Sequence, residues 1–116
     1  MSAANLALAL LCVLAVAAGQ LLFKRVGLVL EATGTWIDAR VLALGSLAFG
    51  LYGASTLLWI HVLRSAELSR VYPLMALSFV LVPLGSARLF GDALSLPYFG
   101  GVVLIVAGVV LITRYG

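Results

Sequence analysis

Four stretches of the chain are almost continuously apolar, and the charged residues fall in or beside the gaps between them. The stretches cover residues 5–23, 41–63, 71–89 and 96–113. Each is about as long as the roughly 20 residues that an α-helix needs to cross a hydrocarbon core. Lipid offers a backbone no hydrogen-bond partners, so a spanning segment closes its own bonds as a helix. The pattern therefore predicts an all-α membrane protein, with residues 1–116 forming one domain of four transmembrane helices. The connections around "RSAELSR" and "FGDALSL" are short, which makes their flanking helices antiparallel neighbours. The first connection, "KRVGLVLEATGTWIDAR", reads as the longest, with an interfacial piece that carries Trp36 at headgroup level.

Composition narrows the class. Of 116 residues, 65% are hydrophobic and 9% charged, a balance that a soluble domain could not cover with polar surface. Cys12 and His61 are each alone of their kind, so neither a disulfide framework nor a metal cluster has the residues it needs. No cofactor and no metal is expected. The net charge of +3 points to topology signals and anionic lipid rather than to nucleic acid. "LALALLCVLAVAAG" resembles the core of a secretory leader, but "MSAAN" lacks the positive segment of one, so the stretch is expected to be a span. Arg64, Arg70 and Arg114 mark one membrane face and Lys24, Arg25, Arg40 and Arg88 the other. So even a division does not fix orientation. Either a partner or the first span sets it, or opposed orientations pair as an antiparallel dimer.

Polar side chains within spans are costly and mark function or interhelical bonding. Gln20 and Lys24 are four residues apart and share a helix face. Gln20 suits a structural hydrogen bond or a ligand; Lys24 suits snorkelling to the interface or an anion. The third span, "RVYPLMALSFVLVPLGSARLFGD", adds hydroxyls at Tyr72 and Ser78 and cation Arg88, with expected kinks at Pro73 and Pro83. Lys24, Arg25 and Arg88 at one rim would suit a phosphate, or are ordinary boundary charges. Small residues mark close helix contacts in lipid. Gly45, Gly50 and Gly53 of the second span, and Gly101 and Gly108 of the fourth, are the candidates, within the monomer or across a dimer. No nucleophile–base pair, deep carboxylate pair or phosphate loop supports an enzyme.

"GQLLFK" at the end of the first span and "GVVLIVAGV" in the fourth resemble the small multidrug resistance fold of the drug/metabolite transporter superfamily, of EamA type. That resemblance implies an antiparallel dimer with Gly101 and Gly108 at its seam. The drug exporters of that fold use a glutamate eight residues before the lysine; here that position is Val16, against proton-coupled drug export. "AGQLLFKR", "LWIHVL", "VYPLMALSFVLVPLGSARLFGDALS" and "GVVLIVAGVVLI" are similar to the small subunits of the aminoarabinose-phosphoundecaprenol flippase. The resemblance implies movement of an undecaprenyl-phosphate-linked sugar across the bacterial inner membrane for lipid A modification. It carries over Gln20, Lys24, Tyr72, Pro73, Ser78 and Arg88, with Asp92 closing the motif as an acid. It also implies a homodimer, or a heterodimer with a homologous four-helix subunit. A small-molecule exporter of the same fold and a non-transporting subunit of a membrane complex are the alternatives.

Overall fold

The computed structural model describes residues 2–115, and these form four helical spans joined by tight turns. Helix α1 runs Ala3–Thr33, α2 Ala39–Leu63, and α5 Leu96–Tyr115. The third span is composite: α3 (Leu68–Val71), a 3₁₀ segment (Tyr72–Leu77) and α4 (Ser78–Phe90) follow one another without a break. All four spans are long and apolar enough to cross a bilayer, and the protein is a multi-pass membrane protein.

The first connection is shorter than the sequence suggests. Helix α1 does not stop near Phe23; it continues through Lys24 and Arg25 to Thr33. Lys24 and Arg25 are good helix formers, and a charge ends a hydrophobic stretch without ending a helix. What ends α1 is Gly34, left-handed at φ 72°, whose N–H donates to the Leu30 carbonyl at 2.7 Å. Asp38 then caps α2, accepting from the Arg40 backbone N–H at 2.9 Å. The loop is residues 34–38, with no interfacial helix, and Trp36 and Ile37 stand exposed at its tip.

Helices α1 and α2 lie antiparallel. The Asn5 amide donates to Ser65 Oγ at 2.9 Å near one end, and Gln20 Nε2 donates to the Tyr52 hydroxyl at 2.8 Å further along. Phe23 meets Phe49 edge to face at 5.5 Å. The close approaches are made by two glycines that the sequence reading did not single out. A Cβ on Gly19 would stand 2.8 Å from the Tyr52 ring, and one on Gly85 would stand 2.7 Å from Leu21 Cδ1. The singled-out glycines, Gly45, Gly50, Gly53, Gly101 and Gly108, have open space where a Cβ would be. Within the chain they close no contact.

The best-packed region gathers Ala9, Val13, Val62, Val71, Leu74 and Val109 near the N-terminal end of α1. The 3₁₀ segment belongs to it. Pro73 opens that segment and shifts the chain out of α geometry, whereas Pro83 sits inside a continuous α4. Pro83 has no N–H to give the Phe79 carbonyl, so that oxygen lacks its helical donor. The far end is looser. Arg25 lines a cavity with Leu89 and Phe90, so the third span ends level with Arg25. Helix α1 runs eight residues past Arg25, about 12 Å at 1.5 Å per residue. The α1–α2 hairpin thus overhangs a flat molecule measuring 49 × 37 × 16 Å.

Candidate functional site

Helices α1, α2 and α4 and the 3₁₀ segment line a lateral groove in two adjoining compartments, of 420 and 380 Å³. Val16, Tyr52, Ser78 and Phe79 line both. The first compartment adds Thr56, Trp59 and Tyr72, and the second adds Gln20, Val82 and Pro83. The lining carries hydroxyls, one amide and aromatic rings but no charged side chain. It suits an uncharged polar group with apolar faces, held by hydrogen bonds and ring contacts.

Local sequence explains the placement. Tyr52, Ser55, Thr56 and Trp59 recur at helical spacing on one side of α2 and bring that stripe to the groove. Ser55 and Thr56 donate to the carbonyls one turn back, Leu51 at 2.7 Å and Tyr52 at 2.9 Å. Tyr52 is wedged beside Gly19 and tilted against Phe23 with ring centres 5.5 Å apart, with the Gln20 amide on its hydroxyl. Trp59 and Tyr72 meet at 6.5 Å with their planes 67° apart, forming a corner. Ser78 Oγ donates to the Met75 carbonyl at 2.7 Å, which satisfies the hydroxyl hydrogen and leaves its lone pairs available.

Of the residues expected at the site, Gln20, Tyr72 and Ser78 line this groove, with Pro73 and Pro83 in its wall. Lys24 lies one turn above Gln20 on the same side of α1. Arg25, five residues after Gln20, is turned about 140° from it and lines a separate cavity. Arg88, nine residues after the groove-lining Phe79, is turned about 180° from it. The three cations share a rim, but only Lys24 stands on the groove side. Asp92 accepts from Ser86 Oγ beside the left-handed Gly91 that ends α4, a local turn contact. Among the described residues the ion pairs are Asp38–Arg40 and Glu67–Arg70, each at the start of a helix, so Lys24, Arg25 and Arg88 have no carboxylate partner. Tyr52, Thr56 and Trp59 were not foreseen. Their signal was the polar and aromatic spacing in "YGASTLLW".

Val16 lies at the centre of the groove, shared by both compartments. The position is apolar, so the groove holds no carboxylate to bind a proton.

Comparison with known proteins finds curated relatives, among them several flippase subunits. A probable 4-amino-4-deoxy-L-arabinose-phosphoundecaprenol flippase subunit ArnE from Erwinia tasmaniensis is 35% identical over 80 residues, 69% of this chain and 67% of the relative. The subunit of the same name from Enterobacter sp. strain 638 is 30% identical over 82 residues, 71% of this chain and 77% of the relative. The chain belongs to this flippase-subunit family. A third member, from Pseudomonas aeruginosa UCBPP-PA14, is 40% identical over 68 residues, 59% of each chain. No family model matches the chain, and no solved structure does. Membership of the ArnE family accords with four apolar spans, and its members are bacterial.

Proposed function

We propose that this chain is a subunit of a transporter that moves a polyprenyl-phosphate-linked aminosugar between the leaflets of the bacterial inner membrane, and that it is not an enzyme. The observation that carries the reading is the groove of Gln20, Tyr52, Thr56, Tyr72 and Ser78, open sideways between spans, with Lys24 one helical turn beyond Gln20 on α1. A lipid with a sugar head cannot draw that head through hydrocarbon unaided, because each unpartnered hydroxyl costs several kcal/mol. A lateral groove with hydroxyl and amide partners lowers that cost while the tail stays in lipid. Lys24 meets the phosphate; Gln20, Tyr72 and Ser78 hydrogen-bond the head. The working unit is a homodimer or a heterodimer with a homologous four-helix subunit, and the open faces at Gly101 and Gly108 of α5 are its seam. Alternating packings of the dimer carry the groove from one face to the other. Val16 in the groove disfavours a proton-coupled small-molecule exporter.

The test uses the amine of the sugar. Proteoliposomes are loaded with the aminosugar lipid in both leaflets, and a membrane-impermeant amine reagent labels what is exposed. The chain, alone or with its homologous subunit, is expected to make the inner pool reactive, and Gln20→Ala or Lys24→Ala to slow this at least about ten-fold. Labelling that stops at the outer pool with either preparation would overturn the proposal.

A further inference from the structure

Two grooves flank one helix–helix contact. Leu21 of α1 packs onto Gly85 of α4, closely enough that a Cβ on Gly85 would fall 2.7 Å from Leu21 Cδ1. On one side is the polar groove with Gln20 and Ser78. On the other is a cavity of 540 Å³ lined by Ala18, Leu21, Leu22, Arg25, Leu89 and Phe90. Its walls are apolar, and its one charged group, Arg25, is at the rim end. The cations are disposed about the contact in a definite way. Around α1, Lys24 lies about 60° to one side of Leu21 and Arg25 about 40° to the other. Both stand one turn above it, and Arg88 stands at the corresponding height above Gly85.

We infer that the lipid sits astride the α1–α4 contact. Its sugar lies in the polar groove, its phosphate on the ridge between Lys24 and Arg25, and the first isoprenoid units of its tail in the apolar groove. The inference rests on the proposed function and deepens it by giving the tail its own seat. Polar groove, paired cations and apolar groove follow one another across the ridge in the order of head, phosphate and tail along the ligand. Charge complementarity points the same way, since neither groove has an acidic side chain in its lining and, among the described residues, neither cation at the ridge has a carboxylate partner.

Native mass spectrometry of the purified full chain tests this, with undecaprenyl phosphate, its aminosugar derivative and phosphatidylglycerol as probes. Ala18→Trp fills the apolar groove at an exposed position, and Arg25→Gln removes its charge. Each is expected to weaken both prenyl lipids about ten-fold and phosphatidylglycerol far less. Thr56→Trp, which fills the polar groove, is expected to remove the preference for the sugar-bearing lipid over undecaprenyl phosphate. Retention of both prenyl lipids by Ala18→Trp and Arg25→Gln, with the Thr56→Trp effect present, would overturn the straddling arrangement and leave the proposed function standing. Failure of the unaltered chain, both alone and with its homologous subunit, to bind either prenyl lipid would overturn both.

Discussion

Gly19 lets Tyr52 reach α1, and replacing it with alanine perturbs one contact cleanly. The new methyl would stand 2.8 Å from Tyr52 Cδ2 and 3.2 Å from Cε2. Carbon atoms settle at about 3.5–4.0 Å, so the ring must retreat by roughly 0.7 Å or more. Retreat stretches the 2.8 Å bond from Gln20 toward the limit of a useful hydrogen bond. Overpacking of this kind costs about 1–3 kcal/mol, and an interhelical hydrogen bond in a membrane protein is worth about 0.6 kcal/mol. Against these stands the helix propensity of alanine over glycine, about 1 kcal/mol. The expected net loss for Gly19→Ala is therefore about 0.5–2.5 kcal/mol. In a Tyr52→Ala background the clash is gone, and the same substitution should stabilise by up to about 1 kcal/mol. Unfolding followed by circular dichroism in mixed detergent micelles gives all four corners of the cycle. An equal cost in both backgrounds would refute the reasoning, because the penalty would then not arise from the ring.

Other outcomes follow from contacts described above. Asn5→Ala removes the bond to Ser65 and should lower stability by about 0.5–1.5 kcal/mol in the same unfolding assay, with little added loss when Ser65→Ala is combined with it. Gly108→Ala places its Cβ in open space and should leave monomer unfolding within about 0.5 kcal/mol, while lowering self-association measured by energy transfer between labelled chains in vesicles. Pro83→Ala returns an N–H to the Phe79 carbonyl and should raise helix stability in the unfolding assay while slowing aminosugar translocation in the proteoliposome assay. Lys24→Gln should reduce the salt dependence of undecaprenyl phosphate binding across a sodium chloride titration, and an unchanged salt slope would remove Lys24 from the phosphate.

The four spans were legible because a bilayer imposes length and hydropathy with little freedom. Boundaries were less so. The pair Lys24–Arg25 looked like an exit from the membrane, yet the backbone obeys helix propensity and stops only at Gly34. Of the groove, Gln20, Tyr72 and Ser78 were visible as polar groups in apolar surroundings. Tyr52 and Trp59 were not, since an aromatic residue in a span is unremarkable until its neighbours are known. The glycines show the same limit. Spacing marks where a helix could approach another, but only the rings and branches opposite decide which glycine is used, here Gly19 and Gly85. The grouping of Lys24, Arg25 and Arg88 was legible by height and not by direction, because their placement around the Leu21–Gly85 contact depends on helix rotation.

The overhanging α1–α2 hairpin bears on the bilayer itself. Its exposed Leu28 and Leu42 continue an apolar surface past the level where the third span ends. At 31 residues α1 is therefore longer than the third span and α5, at 23 and 20 residues, and offers lipid a taller edge than they do. Lipids adjust to such mismatch by tilting and thinning at a modest cost per ångström. Beside the shorter spans the leaflets are drawn together, so a headgroup crossing there has less hydrocarbon to traverse. The thin sector also adjoins the rim of Lys24, Arg25 and Arg88, so the membrane is shallowest next to the cations that would receive the lipid.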